Sequence, residues 1–194
     1  MVKIDLKKIF DLRKILLLVI FFLSLFGFLN FEVIVALKII MIFFVCLATF
    51  LMVRQNDDSF FILITLYLIF FDLYNIYFSL IWPLWLVTLI AAIAVAIIFF
   101  FFSMANSFIM KNNLWYVYLI MLIIISIEVF LSQLPWQINP KGKSIILTAL
   151  FYLFGGMSYL KNSNEYNFKK SLPYLLTSII IFIIVIITSN WYGY

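Results

Sequence analysis

The chain has 194 residues, of which 68% are hydrophobic and only 11% are charged, and its formal net charge is +5. Soluble domains carry about 25% charged residues, so this composition excludes an ordinary water-soluble globule and predicts a chain surrounded by lipid. The sequence contains no histidine and a single cysteine, Cys46. Most haem and zinc sites and any intrachain disulfide are therefore excluded, and we expect no cofactor and no bound metal.

Seven apolar runs follow one another along the chain. A helix needs roughly 20 apolar residues to cross about 30 Å of hydrocarbon, whereas an open strand would leave its backbone groups unpaired there. The sequence therefore predicts an all-α fold, a polytopic transmembrane helix bundle of about seven spans with short loops and no soluble domain. Six spans are the alternative, because the first and sixth runs are the shortest. The predicted spans are Ile15–Phe31, Val33–Val53, Phe60–Trp82, Leu84–Met104, Leu114–Leu134, Ser144–Leu160 and Ser171–Thr188.

The chain is predicted to have three parts. Residues 1–14 form a basic leader, residues 15–190 the single transmembrane bundle, and residues 191–194 a short tail. Within the leader, apolar residues such as Leu6 and Phe10 recur at helical spacing between lysines, which is typical of a helix lying on a membrane surface. A plain charged leader is the alternative. Pro173 is expected in the first turn of the last helix, where its missing N–H does no harm.

Basic residues are distributed unevenly between the two sides of the seven-span arrangement. Ten Lys and Arg residues fall on the N-terminal side and only Lys141 and Lys143 lie opposite. This bias predicts an N-terminus on the cytoplasmic or equivalent side of the membrane, which is expected to be a bacterial or archaeal plasma membrane or an organellar inner membrane. Because the basic residues lie in separate short connections, no nucleic-acid partner is expected. The ten are Lys3, Lys7, Lys8, Arg13, Lys14, Arg54, Lys111, Lys161, Lys169 and Lys170.

Three ionisable residues, Lys38, Asp72 and Glu128, fall inside predicted spans, where a charge is costly. Lys38 and Glu128 lie at similar depths on the same side of the predicted bundle, so we expect that they can form an ion pair. Asp72 shares one helical face with Thr65, Asn75 and Ser79, and a polar face of this kind makes the third span central. The six residues are candidates for an ion or substrate pathway, and structural ion pairing is the alternative interpretation. They are Asp72, Asn75, Lys38, Glu128, Thr65 and Ser79.

Small residues recur at close spacing in two of the spans. Such residues let helix backbones approach one another, so they predict packing within the bundle or against another subunit. They are Thr88, Ala92 and Ala96 in the fourth span, and Ala149, Gly155 and Gly156 in the sixth.

The fourth span, from Ala91 to Asn106, reads AAIAVAIIFFFFSMAN and resembles the third helix of one membrane subunit of the proton-pumping NADH dehydrogenases. That family has a glycine where Ala91 or Ala92 stands and carries fewer spans, so the resemblance is not adopted as an assignment.

Two functions fit these features. The first is a non-catalytic integral membrane subunit of a larger membrane protein complex, a class that includes energy-transducing complexes, with the lipid bilayer and other membrane subunits as partners. The alternative is a small secondary transporter or a proton- or cation-translocating protein that uses Asp72, Asn75, Lys38 and Glu128. An enzyme is disfavoured, because the chain has no histidine and no residue that can be assigned a catalytic role.

Overall fold

A computed structural model of the chain describes residues 6–55, 59–105, 115–136, 138–162 and 167–188. These residues form seven α-helices and no β-strand, so the all-α prediction is confirmed for this part of the chain. The helices are α1 (Leu6–Phe31), α2 (Val35–Gln55), α3 (Ser59–Leu80), α4 (Leu84–Ala105), α5 (Trp115–Gln133), α6 (Pro140–Asn162) and α7 (Phe168–Thr188). Each helix overlaps one predicted span. Helix α1 starts at Leu6, nine residues before the predicted span, so the second half of the leader continues directly into it.

Helix α6 starts four residues earlier than its predicted span. Asn139 is the N-cap, because its side-chain Oδ1 accepts a hydrogen bond of 2.8 Å from the Gly142 N–H. Pro140 follows at the first helical position, where a fixed φ favours helix initiation and the missing N–H is not needed. Lys141 and Lys143 therefore lie in the first turn of the helix, and the connection between α5 and α6 is shorter than the predicted spans imply.

Helix α7 also starts early, and the prediction for Pro173 is wrong. Asn167 caps this helix through a 3.2 Å hydrogen bond from the Lys169 N–H to its Oδ1, so the helix begins at Phe168. Pro173 is then the sixth residue of α7 and lies inside the helix. A proline at that position removes one backbone hydrogen bond and favours a local bend.

Helix α3 is the centre of the fold, as predicted. It packs most extensively against α6 and α1, and also against α4 and α2. Thr65, Leu68, Phe70 and Tyr74 on this helix are completely buried, and they lie on different sides of it. Four neighbouring helices can cover α3 because its whole circumference is apolar apart from one polar stripe.

Helix α1 runs in the same direction as α3. Near the start of α3, the ring of Phe21 lies 4.4 Å from that of Phe61. Further along both helices, the ring of Phe28 lies 4.8 Å from that of Phe71. Since residue numbers rise together along this contact, α2 has to lead the chain back to the side at which α1 begins.

Helices α5 and α6 meet α3 near its last residue, Leu80, and we call this side of the bundle the Leu80 end. The Phe130 ring of α5 stacks on Tyr74 with centroids 4.7 Å apart. The Lys143 ammonium, at the start of α6, lies 4.3 Å from the centre of the Phe78 ring. The C-terminal ends of α3 and α5 and the N-terminal end of α6 therefore lie together at the Leu80 end.

Within the described ranges, two helices are long and apolar enough to cross a membrane: α3 over Phe60–Leu80 and α7 over Phe168–Thr188. Helices of this length and composition suggest a membrane protein. Among the described residues, four shorter apolar stretches of 10–17 residues lie in α1, α2, α4 and α5.

Candidate functional site

The polar stripe of α3 runs from the core of the bundle to the Leu80 end. Thr65 is completely buried, Asp72 and Asn75 are half-buried, and Ser79 is exposed. The Thr65 hydroxyl donates to the Phe61 carbonyl at 2.8 Å, one turn earlier in the same helix. The Asn75 amide likewise donates to the backbone of its own helix. Local hydrogen bonds of this kind satisfy a polar side chain without a partner from another helix.

Asp72 is the exception on this stripe. Its carboxyl group lies against Gly27 of α1, so closely that a methyl group at Gly27 would overlap it. Within the described part of the chain, Asp72 Oδ1 is buried and has no hydrogen-bond partner. A buried oxygen without a partner costs free energy, about 1–3 kcal/mol for a neutral group and more for a charged one. The buried oxygen of Asp72 is therefore a destabilising polar group in the bundle. Asp72 lies eight residues before Leu80, or about 12 Å along the helix at 1.5 Å per residue.

Lys38 and Glu128 do not form the pair that their similar depths suggested. Lys38 is half-buried on α2, which packs on α3, whereas Glu128 is exposed on α5, which packs mainly on α4. The two helices do not pack extensively against each other. The structure therefore separates these two candidates, and the ion pair described below involves other residues.

The depth of Glu128 follows from the contact between α5 and α3. Phe130 stacks on Tyr74, which is six residues before Leu80 and therefore about 9 Å from it along the helix. Glu128 precedes Phe130 by two residues, which adds about 3 Å. Its exposed carboxyl group therefore lies about 12 Å below the Leu80 end, on the outward side of α5.

The ion pair joins Glu32, directly after α1, to Lys141 in the first turn of α6. The Lys141 ammonium lies 2.9 Å from Glu32 Oε1, which also accepts the Ile34 N–H at 2.9 Å. The Glu32 side chain is 1% exposed and that of Lys141 is 32% exposed. Glu32 Oε2 is buried and has no partner in the described part of the chain. The pair fastens the end of α1 to the start of α6 at the Leu80 end.

Lys143 occupies an aromatic pocket beside this ion pair. Its ammonium donates to the Leu134 carbonyl at 3.2 Å and lies 4.3 Å and 5.6 Å from the ring centres of Phe78 and Tyr74. Cation–π contacts and a carbonyl thus replace a carboxylate as its partners. Lys143 precedes the predicted sixth span, and burial lowers its pKa from 10.5 to about 8. The Tyr74 hydroxyl donates to Gln133 Oε1 at 2.7 Å and completes the cluster.

From the sequence, all three residues lie between predicted spans, and only the two lysines enter the count of basic residues on each side; the three are Glu32, Lys141 and Lys143. The unrecognised signal was the Asn139–Pro140 helix start, which carries both lysines into the first turn of α6. Lysines are unusual at a helix N-terminus because the helix dipole disfavours them there. Their placement therefore indicates partners from other helices.

The predicted small-residue positions lie differently on their two helices. On α6, the Ala149 carbonyl accepts the Ser178 hydroxyl of α7 at 3.1 Å, and Gly156 lies against the Tyr174 ring. On α4, Thr88, Ala92 and Ala96 are half-buried, and so is Gly155 on α6. The fully buried stripe of α4 is offset by about one residue and consists of Val87, Ala91, Val95 and Ile98.

Among the described residues, no group of three or more acidic residues and cysteines is arranged to hold a metal ion. Comparisons of the chain with protein-family models, with curated proteins and with solved structures give no match.

Proposed function

We propose that the chain is a polytopic membrane protein with seven spans, and that it serves as a non-catalytic subunit of a larger membrane assembly. Its N-terminus lies on the cytoplasmic or equivalent side, and the Leu80 end faces the opposite compartment. The uneven distribution of lysine and arginine supports this orientation.

The outward faces of the helices support the membrane assignment. Large apolar side chains are exposed along α1, α2, α4, α5 and α7, among them Phe26 at 69%, Phe43 at 65% and Ile187 at 76%. Only 17% of the apolar stretch of α7 is buried inside the bundle. A soluble monomer rarely exposes a continuous apolar patch larger than a few hundred Å². Lipid is the surrounding that accommodates such a surface on several helices at once.

The exposed carboxyl group of Glu128 is the observation that carries the subunit proposal. At about 12 Å below the Leu80 end, a short glutamate side chain reaches the interface less readily than a long lysine would. A carboxylate facing hydrocarbon costs several kcal/mol, whereas a partner that covers it removes most of this cost. A second protein packed against α5 removes most of this free-energy cost, whereas lipid alone does not.

The remaining polar side chains support a structural role over a catalytic one. Most of them bond to the carbonyl three or four residues earlier in their own helix, so they stabilise the helices without lining a shared polar space. Such pairs, donor first, include Ser24 with Ile20, Thr49 with Val45, Thr65 with Phe61, Asn75 with Phe71, Ser126 with Leu122, Thr148 with Ser144 and Thr188 with Ile184.

Extraction of the protein from its native membrane tests the subunit proposal. After solubilisation in a mild detergent such as digitonin, the protein should migrate in native electrophoresis as part of a larger complex. A harsher detergent should release it as a smaller species, which controls for the size of the micelle. A single monomeric species under the mildest conditions would argue strongly against the subunit role.

Ion translocation is the second candidate, and Asp72 is the residue that favours it. A buried carboxyl oxygen with no partner among the described residues, in the middle of a polar stripe that opens toward Leu80, is suited to bind a proton or a cation. In proteoliposomes, a pH-dependent cation flux should disappear in Asp72→Asn and persist in Ser79→Ala, because Ser79 lies at the exposed end of the stripe. Flux that is unchanged in Asp72→Asn would remove this candidate.

A further inference from the structure

Helix α5 carries one continuous outward stripe. Val117, Met121, Ile124, Glu128 and Leu131 follow one another at alternating spacings of four and three residues. That spacing places them along a single helical face, and it is the spacing of helices that pack side by side. All five are exposed, with Met121 at 55% and Ile124 at 49%.

The bundle uses the opposite face of α5. Among the side chains of α5 that the structure describes, those of Ser126, Phe130 and Gln133 are buried, and Phe130 and Gln133 contact Tyr74 of α3. Glu128 and Phe130 are two positions apart, or about 200° around the helix, so the carboxyl group points away from the bundle. None of the seven described helices of this chain covers the outward stripe.

We propose that this stripe docks a transmembrane helix of another subunit, and that the partner helix carries a lysine or an arginine at the level of Glu128. The inference rests on the proposed subunit role and names the chemistry of the partner. The four apolar residues of the stripe form a packing surface. The carboxylate of Glu128 requires a cation on the partner helix. An opposite charge at the same depth makes Glu128 favourable in the membrane.

Charge also argues against a symmetric contact with a second copy of the chain. A symmetric contact between two α5 stripes would bring two Glu128 carboxylates together at the same depth. Like charges in a low-dielectric interface repel each other strongly. The described part of α5 offers no basic residue to offset that repulsion.

The test is site-specific photocrosslinking in native membranes. A benzophenone amino acid is placed at Ile124, one turn from Glu128 and on the same stripe. The matched control carries the same probe at Ile183, an exposed residue of α7 that is 48% accessible. The crosslinked peptides are identified by mass spectrometry after digestion. We expect the Ile124 probe to capture a transmembrane peptide of another protein with a Lys or Arg within one turn of the crosslink, and the Ile183 probe not to capture it.

Variants at Glu128 then test the charge. Glu128→Lys should reduce the Ile124 adduct by about tenfold, because it places a like charge opposite the partner's cation. Glu128→Gln keeps the shape and a hydrogen-bonding group, so it should reduce the adduct less. Equal thermal unfolding of the three proteins in detergent would show that the bundle itself is intact.

The outcomes separate the two proposals. An Ile124 adduct to a second copy of the chain, to lipid alone, or to a helix without a basic residue would overturn the docking inference. The subunit role would survive those results if native electrophoresis still showed a larger complex. A protein that migrates alone would overturn both.

Discussion

The carboxyl group of Asp72 on α3 lies directly against Gly27 on α1, and its Oδ1 is buried there without a hydrogen-bond partner in the described part of the chain. Glycine allows this approach because it has no Cβ. The contact fixes the register of two parallel helices at the depth of the most costly polar group of α3. It also restricts what can replace either residue.

Gly27→Ala should destabilise the bundle. The added methyl group overlaps the Asp72 carboxyl group, and overpacking of this kind costs about 1–3 kcal/mol. Thermal unfolding in detergent measures the effect. Combining the substitution with Asp72→Ala removes the overlapping group, so the double variant should lose less stability than the sum of the two single variants. Wild-type stability in Gly27→Ala would contradict the close contact.

Removal of Lys141 should cost more than removal of Glu32. Lys141→Gln leaves the buried Glu32 carboxylate without its cation, whereas Glu32→Gln leaves a lysine that reaches solvent. Because Lys141 is about one-third exposed, we expect a coupling free energy of about 1–2 kcal/mol, below that of a fully buried pair. A double-mutant cycle measured by unfolding in detergent gives this value, with Lys169→Gln, an exposed lysine of α7, as the control. Additive single effects would show that the two residues do not interact.

Lys143 should make stability depend on pH in the alkaline range. Its pKa is about 8 in the folded protein against an ordinary value of 10.5, so between these values the unfolded chain binds the proton and the folded chain does not. Stability then rises with pH across that interval and is insensitive to this residue below it. Lys143→Met should be the more stable protein at pH 7, and its advantage over the wild type should shrink as the pH rises from 8 toward 10. A constant difference between the two proteins would show that the Lys143 ammonium is not buried as described.

Much of the fold follows from the sequence because its main signal, the apolar run, extends over many consecutive residues. Apolar runs of about 20 residues fix the number and type of the helices, and the polar stripe of Asp72 and Asn75 identifies the helix at the centre. The helix starts were missed where a single side chain decides them. Asn139 and Asn167 cap α6 and α7 through hydrogen bonds of one oxygen each, and these move the first residue of a helix by three or four positions.

The candidate residues were harder to place than the helices. Depth along a helix was inferred by counting residues, so Lys38 and Glu128 were assigned similar depths without any indication of which helices pack together. The pairing of Glu32 with Lys141 depends on α1 and α6 meeting at the Leu80 end, which no local pattern encodes. The direction in which a side chain points also depends on which helices meet. Glu128 points outward because Phe130, two residues on, is held by Tyr74.

The direction of the chain through the membrane tests the central claim most directly. After Cys46 is replaced by alanine, single cysteines at Lys7 and at Thr188 are labelled in intact cells with a membrane-impermeant maleimide. Seven spans with a cytoplasmic N-terminus predict labelling at Thr188→Cys in intact cells, and labelling at Lys7→Cys only after permeabilisation. Labelling of both positions from the same side would contradict a seven-span bundle.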